Sequence, residues 1–337
     1  MAIDQNIQNS DPNTCLYMED TSGDGGNHTD PTFWLSPDCQ MANGPGTDPS
    51  FANEGAKNTT SVIIYKKPDC ALAGDSSAVV FDLYVCTPSL NIVTPTFDPT
   101  SSVQLASSSL AVVTTPGGTP NANDVTWTPS SNSGDPNGPG HKCLIARCYP
   151  FGATPDQEFL SKYIPEDPHY VQHNLTIGVA SQHSPGPHGI KIRTGNGARE
   201  NETVTIRAVS DFKPSDTVLQ AILPSLRAVP GFARIATRPV RHFGLNLDVF
   251  KNERNCFEEP FEYLAHLVCD VITGLFGKLE HPNIETKVTI RPRFFADFTF
   301  SVDASGSNVG DAHIFHLTQA DHQGQFQGGL TVAVVTT

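Results

Sequence analysis

The sequence is poor in charged residues, and in basic ones above all. Asp, Glu, Lys and Arg make up 17% of the 337 residues, and 35 acidic residues outnumber 21 basic ones, which gives a formal net charge of −14. A protein that binds nucleic acid needs a cationic surface, so this balance argues against general nucleic-acid binding. The same balance favours cationic partners or metal ions.

Long apolar runs are also lacking. No stretch approaches the ~20 apolar residues of a membrane-spanning helix. The first residues, Met1–Asn6, have neither the basic region nor the apolar core of a signal peptide. We therefore expect no membrane span and no classical secretion signal, and the localisation stays open.

Motifs that carry enzyme chemistry are absent as well. The sequence has no nucleophile elbow, no H-E-x-x-H motif, no phosphate-binding loop and no dinucleotide fingerprint. It therefore predicts a protein that is not an enzyme. Eight cysteines are present, but none forms a C-x-x-C pair, and their disulfide state is left open.

What the sequence has in abundance is β-strand patterning. Gly and Pro, 27 of each, separate short apolar runs, as in β-sandwiches with long loops. Residues 170–179 have apolar side chains at every second position, and so do residues 294–302, which predicts two strands that are each buried on one face. Residues 141–149 are apolar in both phases, which predicts a central strand covered on both faces. Arg147 in such a strand needs a carboxylate partner, and Asp82 on a neighbouring run is the candidate.

These patterns predict a mainly β fold with two immunoglobulin-like β-sandwich domains, the second with a helical insertion. A length of ~150 residues per domain supports two domains. Residues 1–59 are expected to form an extended N-terminal arm packed on the first domain. The first sandwich is assigned to residues 60–180, the second to residues 185–337, and the insertion to about 214–279.

The insertion is expected to contain two helices. Residues 214–223 have an N-cap signal and helical spacing, and Pro224 is expected to interrupt them. Residues 257–279 carry apolar side chains at steps of three and four, with acidic residues in the first turn. This helix either covers the second sheet, or it inserts in a membrane or grips a partner subunit. Its acidic polar face disfavours the membrane.

One loop has part of the pattern of a calcium site. Residues 20–26 (Asp-Thr-Ser-Gly-Asp-Gly-Gly) place carboxylates at alternate positions and glycines in the turn, as a hard cation requires. The candidate ligands are Asp20, Ser22 and Asp24. A full calcium loop has a bidentate acid at its twelfth position, which here is Pro31, and Asp30 lies one place early. An Asp/Gly-rich turn without metal is the alternative, so calcium is the one cofactor that the sequence suggests.

Histidines form two groups, at positions 183 and 188 and at positions 313, 316 and 322. A metal site needs converging ligands. His313 and His316, if they lie on a strand, point to opposite faces and cannot share a site. His173 lies in the apolar phase of its strand and is predicted to be a core histidine, hydrogen-bonded to a backbone group.

Several short motifs follow one another between residues 14 and 180. They are Leu16-Tyr-Met-Glu-Asp-Thr-Ser-Gly-Asp-Gly-Gly, Phe33-Trp-Leu-Ser-Pro-Asp, Val125-Thr-Trp-Thr-Pro, His141-Lys-Cys-Leu-Ile-Ala-Arg and Val171-Gln-His-Asn-Leu-Thr-Ile. In this order they resemble a family of bacterial immunoglobulin-like modules found in large surface or secreted proteins. The resemblance implies an adhesion-type sandwich and an extracellular or cell-surface setting, and it implies no catalytic residues.

Charge is unevenly distributed along the chain. Residues 1–60 hold nine acidic residues and one Lys, whereas residues 191–241 hold nine basic and four acidic residues. Each block is either a solvated face or a contact surface, in which the acidic arm of one copy pairs with the basic stretch of a neighbour.

We therefore expect a non-enzymatic structural or binding protein that acts through protein–protein contacts or self-association, as a homo-oligomer or an assembly subunit. The resemblance places it in a bacterial surface, appendage or secreted assembly. The alternatives are a membrane-active, toxin-like protein that uses residues 257–279, and a metal-dependent hydrolase that uses the histidines.

Overall fold

The structure, a computed structural model, describes residues 16–67, 79–92, 95, 102–113, 121–151, 164–165, 167–182, 188–196, 200–240, 242–251, 283–292 and 294–337. Within these ranges the chain is mainly β. In chain order the strands are β1 (Leu16–Tyr17), β2 (Cys39–Met41), β3 (Phe51–Ala52), β4 (Asn58–Lys66), β5 (Val79–Cys86), β6 (Ser102–Leu110), β7 (Asn121–Trp127), β8 (Gly140–His141), β9 (Cys143–Pro150), β10 (Tyr170–Ala180), β11 (His188–Gly195), β12 (Glu202–Asp211), β13 (Arg234–Ile235), β14 (His242–Lys251), β15 (Asn283–Ile290), β16 (Phe295–Asp303), β17 (Asp311–Ala320) and β18 (Phe326–Thr336). The helix α1 (Asp216–Ala228) lies between β12 and β13.

The chain divides into two compact units. Unit one consists of Met1–Thr87, Ile92–Leu175 and Asp216–Ala228, and unit two consists of Pro88–Asn91, Thr176–Ser215 and Val229–Thr337. Strand β10 therefore begins in unit one and ends in unit two.

Unit one contains two larger sheets that share one apolar core. In the first sheet β4 pairs with β1, β2 and β7, and in the second the strand order is β10-β9-β5-β6. Every second residue of β4 is buried, as expected for a strand with one face on a core. The shared core includes Met18, Met41, Val62, Ile64 and Trp127 from the first sheet and its loops, and Phe81, Leu83, Leu144, Ala146 and Val171 from the second. Two sheets packed across such a core have the arrangement of a β-sandwich.

The two central strands differ in how well their burial follows the sequence. Strand β9 is buried at every position except Pro150, so the prediction of a strand covered on both faces is confirmed. Strand β10 was predicted to bury one face only, but it is buried throughout except at Val179, which is 46% exposed. The reason is that its polar side chains are also enclosed, as shown by Gln172, whose Nε2 lies 3.1 Å from the Sγ of Cys143.

A buried ion pair joins β5 to β9. Asp82 and Arg147 are directly opposite each other in the strand register, and the guanidinium Nε and Nη2 each lie 2.7 Å from Oδ2 of Asp82. The other carboxylate oxygen accepts hydrogen bonds from the backbone N–H of Ser108, at 2.7 Å, and from the hydroxyl of Tyr149, at 3.0 Å. Both charged side chains are 2% exposed, so the predicted partnership of Arg147 with Asp82 is confirmed.

Helix α1 continues past the proline that was expected to interrupt it. The sequence predicted a helix over residues 214–223, whereas α1 runs from Asp216 to Ala228 with Pro224 inside it. Its buried face continues on both sides of the proline, at Val218, Ile222, Ser225 and Leu226. This packing compensates for the hydrogen bond that Pro224 cannot donate. The helix lies in sequence between strands of unit two, which predicted that it belongs to the second sandwich, but it packs within unit one.

Unit two also has two sheets on a common core. One sheet contains β15, β12, β17 and β18 in that order, followed by β10, and the other has the order β11-β16-β14. Strand β16 alternates between buried and half-buried positions, which agrees with the one-faced strand predicted for residues 294–302. The core includes Ile192, Val204, Ile206, Phe298, Phe300, Phe315, Leu317 and Val332.

The apolar residues of the N-terminal segment are buried within its own unit. Met18, Phe33, Trp34 and Leu35 are each at most 4% exposed. The segment 16–59 therefore does not offer these side chains to a neighbouring copy. Residues 1–15 and the predicted helix at 257–279 lie outside the described residues. Among the residues that are described, no helix combines the length and apolar character needed to cross a membrane.

Replacing Arg147 with Met would test the buried ion pair. The Arg147→Met variant leaves the Asp82 carboxylate buried without its counter-charge, so we expect the free energy of unfolding of unit one to fall by about 3–5 kcal/mol. Both tryptophans of the chain, Trp34 and Trp127, lie in unit one, so their fluorescence during urea denaturation reports on this unit.

The control is Ser61→Ala, which removes a surface hydrogen bond of 2.7 Å to Asp124 in the same unit. It should change the free energy of unfolding by no more than about 0.5 kcal/mol. Equal losses in the two variants would contradict a special role for the Arg147 pair.

Candidate functional site

The loop that follows β1 is held together by acidic side chains that accept backbone hydrogen bonds. Oδ2 of Asp24 accepts from the backbone N–H groups of Asp20 and Thr21, each at 3.0 Å, and its Oδ1 accepts from that of Gly26 at 2.6 Å. The carboxylate of Glu19 accepts from the N–H groups of two further loop glycines, Gly23 and Gly25, at 2.8 and 3.2 Å. These two carboxylates thus fix the turn from inside.

The glycine at the end of the turn is required by its surroundings. Gly26 has a φ of +79°, a conformation that residues with a side chain rarely adopt. A Cβ at this position would lie 2.6 Å from the Cβ of Tyr17. The close approach of the turn to β1 therefore depends on glycine here.

Asp20 is the exception among the acids of this loop. Its side chain is 2% exposed, and neither of its carboxylate oxygens has a hydrogen-bond partner. Burial, and then the nearby carboxylates of Asp24 and Asp30, raise the pKa of Asp20 far above its usual range. The side chain of Thr21 acts in the opposite direction and lowers the pKa of Asp20, whereas Ser22 is exposed to solvent. The structure thus brings together Asp20 and Asp24 of the three predicted ligands.

A second buried carboxyl, Asp38, lies beside the base of the loop. Its Oδ2 accepts from the backbone N–H of Glu19 at 2.5 Å, and its Oδ1 accepts from the hydroxyl of Tyr65 at 3.3 Å. Burial raises the pKa of Asp38 to about 8, despite these two hydrogen bonds, which lower it. The ring of Tyr65 stacks on that of Tyr17, with ring centroids 5.1 Å apart. Sequence reasoning missed Asp38, because nothing in the local sequence indicates that it reaches the loop.

A chain of polar groups crosses the interior of unit one. Nδ1 of His173 lies 3.0 Å from the backbone oxygen of Ser36, which confirms the prediction of a core histidine bonded to backbone. Its Nε2 lies 2.9 Å from the hydroxyl of Ser50, and that hydroxyl lies 3.4 Å from the hydroxyl of Ser225 on α1. The chain ends at Asp48, whose Oδ1 accepts from Ser225 at 2.6 Å.

The far end of this chain carries a charge-assisted contact. Oδ2 of Asp48 lies 3.2 Å from Nε2 of His141. Burial alone would raise the pKa of Asp48, but its interactions with His141, Ser225 and Ser50 hold that pKa below its usual value. Burial lowers the pKa of His173. At neutral pH the network therefore pairs a carboxylate at one end with a neutral imidazole at the other.

The Ser50–His173 contact has the distance of a nucleophile and its general base, but not the accessibility. A serine and a histidine within about 3 Å are the elements of nucleophilic catalysis. Both side chains here are fully buried, at 0% exposure, as is Ser225. No substrate reaches them in this conformation, and their hydrogen bonds join α1 to the strands of unit one. The sequence contained no signal for this network, because Ser50 and Ser225 are 123 and 175 residues away from their partners.

The histidines of β17 have separate partners. His313 contacts the hydroxyl of Ser307 through Nε2 at 2.8 Å. His316 lies between Thr331 and Asp211, at 3.0 and 3.2 Å. The expectation that His313 and His316 do not share a site therefore agrees with the structure. Within the described ranges, no three His, Cys, Asp or Glu side chains are arranged so that they hold a metal ion together.

The cysteines that the structure describes are buried thiols. Cys39, Cys86, Cys143 and Cys148 are free, and burial raises the pKa of each. A protonated thiol without solvent access is a poor nucleophile and a poor metal ligand. These four residues therefore act as small core side chains.

No protein-family model matches the chain, and no curated protein matches it. Among solved structures the chain is similar to the collagen adhesin from S. aureus, with 8% sequence identity over 87% of this chain and 96% of that chain, at a TM-score of 0.24. A likeness of this degree carries no information on the activity of this chain.

The raised pKa of Asp38 predicts how the stability of unit one depends on pH. Between about pH 4 and pH 8 the folded chain keeps a proton on Asp38 that the unfolded chain has lost, so stability falls as the pH rises through this window. Asp38→Asn removes this ionisation. The variant should gain on the wild type by up to about 1.4 kcal/mol for each pH unit in the window. Urea denaturation at several pH values, followed by tryptophan fluorescence with chelator present, measures the difference.

The exposed residue Asp124 provides the control for this pH series. Asp124→Asn should run parallel to the wild type at all pH values, because the side chain is exposed in the folded chain. Parallel curves for Asp38→Asn and the wild type would show that Asp38 titrates normally in the folded state.

Because Ser50 is buried, we expect its hydroxyl to be unreactive towards reagents in solution. A fluorophosphonate probe, which labels activated serines, should leave Ser50 unmodified in the folded chain, as judged by mass spectrometry of peptides. Ser50→Ala should lower the free energy of unfolding by about 1–3 kcal/mol, because it leaves buried hydrogen-bonding groups unpaired. Stoichiometric labelling of Ser50 that disappears in His173→Gln would instead identify a reactive dyad.

Proposed function

We propose that this protein is a non-enzymatic structural or binding protein that acts through protein–protein contacts. The proposal includes assembly into a homo-oligomer or a larger complex, as a subunit of a bacterial surface, appendage or secreted structure. It also includes an immunoglobulin-like sandwich in each unit.

The main support for the proposal is that the side chains with catalytic potential are buried and hold parts of the fold together. Ser50 and His173 are fully buried, and their hydrogen bonds fasten α1 and neighbouring loops together. Asp82 and Arg147 neutralise each other between two strands. Among the described residues, the groups that most resemble catalytic machinery thus have a structural use, which favours binding over chemistry.

Exposed side chains of opposite charge support contacts between copies of this chain. The acidic loop after β1 exposes Asp24 and Asp30 in part. Basic side chains of the 191–241 stretch are exposed in unit two, at Lys191, Arg207, Lys213 and Arg238. Surfaces of opposite charge attract and steer one another, and salt screens this attraction.

The test is the native mass of the full chain at two ionic strengths, by size-exclusion chromatography with light scattering. The Debye length falls from ~10 Å at 0.1 M to ~3 Å at 1 M salt, so we expect an oligomer at low salt that dissociates at high salt. Lys213→Glu combined with Arg238→Glu should shift the low-salt equilibrium towards the monomer.

Lys57→Glu combined with Asn53→Asp is the control, because both positions are exposed and lie outside the basic stretch. It adds negative charge to the acidic segment and should leave the oligomer intact. The same monomer mass at both ionic strengths in the wild type would contradict assembly through charge.

A further inference from the structure

Asp20 is a buried carboxylate whose requirements the chain does not meet. The neighbouring acids Glu19, Asp24 and Asp38 each accept at least two hydrogen bonds. Asp20, at 2% exposure, accepts none at either oxygen. A buried polar group without a partner costs free energy, and a buried anion without a counter-charge costs several kcal/mol. Such a carboxyl needs either a proton or a cation from outside the chain.

The charges that face Asp20 are negative. The side chain of Asp24 approaches it closely, and the charge of Asp30 also acts on it. Both carboxylates raise the free energy of an ionised Asp20 and attract a positive ion to the same place. The three carboxylates together create a negative potential, and one of them is buried without a hydrogen bond. A negative potential at a buried carboxylate favours the binding of a divalent cation.

Part of the coordinating capacity of these carboxylates is already in use. Oδ2 of Asp24 accepts two backbone hydrogen bonds, but its Oδ1 accepts one and keeps a lone pair. Oδ1 of Asp30 accepts from the backbone and the hydroxyl of Thr32, which leaves its Oδ2 available. Both oxygens of Asp20 are available. All these donors are hard oxygens, which select Ca²⁺ or Mg²⁺ over transition metals.

The geometry limits how tightly an ion is held. No three acidic, histidine or cysteine side chains of the described residues converge as metal ligands, so at most two carboxylates bind the ion directly. Water and loop oxygens must complete the shell, which Ca²⁺ tolerates because it accepts six to eight oxygens in irregular arrangements. A site with so few anionic ligands belongs to the weak class, with a Kd of about 10⁻⁴–10⁻³ M.

We propose that this loop is a calcium site, in which Asp20 and Asp24 bind the ion directly and Asp30 acts through a bridging water. Ser22 takes no part, because it is exposed. Asp30 replaces the acid that a full calcium loop has one position later. The site stabilises the segment between β1 and β2, whose other acids are already bonded to the loop backbone.

Calcium binding is tested on the full chain after removal of divalent ions with a chelator. Calcium added to about 10 mM should raise the Tm of unit one, with saturation in the millimolar range. Sodium chloride of equal ionic strength is the reference. Terbium should bind in the same place and luminesce on excitation of Tyr17, which lies against the loop at Gly26, and calcium should displace it.

Three variants locate the site. Asp20→Asn should abolish the calcium-dependent rise in Tm and the displaceable terbium signal. The folded chain should tolerate this change, because asparagine resembles the neutral form of a carboxyl that has no hydrogen bonds. Asp30→Asn should weaken binding about tenfold, as for a group that acts through water. Asp124→Asn, an exposed acid on another strand, should bind as the wild type does.

Two results would overturn the proposal. If calcium neither raises the Tm of the wild type beyond the sodium reference nor displaces terbium, Asp20 is neutralised by a proton alone. If Asp20→Asn responds to calcium as the wild type does, the ion binds elsewhere. A variant that has lost its cooperative unfolding is recognised by its fluorescence transition, and then Asp30→Asn alone decides.

Discussion

Arg147 carries a permanent charge into the middle of β9, a strand covered on both faces, and the strand is stable there only because Asp82 meets that charge. The carboxylate does more than neutralise. One of its oxygens faces the guanidinium on β9, and the other accepts from the backbone of Ser108 on the edge strand β6. A single side chain on β5 therefore fixes the register of three neighbouring strands. A shift of one residue would move Arg147 to the opposite face, away from its partner.

The same need to satisfy buried polar groups is seen in two other parts of unit one. His173, Ser50, Ser225 and Asp48 form a continuous chain in which each polar side chain finds a partner. In the loop after β1 the backbone N–H groups satisfy the acids, with the exception of Asp20. Where all partners are internal, the polar group is structural. Where one carboxylate is left without a partner, an ion from outside is the natural complement.

Much of the fold could be predicted from the sequence, because the local pattern of apolar residues decides which segments are strands. The two-residue period located β10 and β16, and the apolar run of β9 identified a central strand whose arginine required Asp82. The period does not say whether the polar face of a strand is covered, so the polar face of β10 was wrongly expected to be exposed. Pro224 was expected to interrupt the helix, as proline usually does, but the buried face of α1 continues beyond it.

The candidate site shows where such prediction stops. Asp20 and Asp24 were found because a calcium loop has a local pattern. Asp38 and Tyr65 approach the loop from strands and turns that are distant in sequence, and no local pattern indicates them. The contact between His173 and Ser50 was missed for the same reason. That Asp20 is buried without a hydrogen bond follows only from the packed fold.

Unit one is assembled from separated stretches of the chain, since α1 reaches it from between strands that belong to unit two. Neither unit is therefore encoded by one continuous stretch of the sequence. A gene fragment that ended after β10 would encode Asp48 and Ser50 without Ser225 to bond them. Recombination, truncation and domain grafting must therefore keep residues 16–337 together in one chain. A new binding surface is more readily introduced in a surface loop than by exchange of either unit.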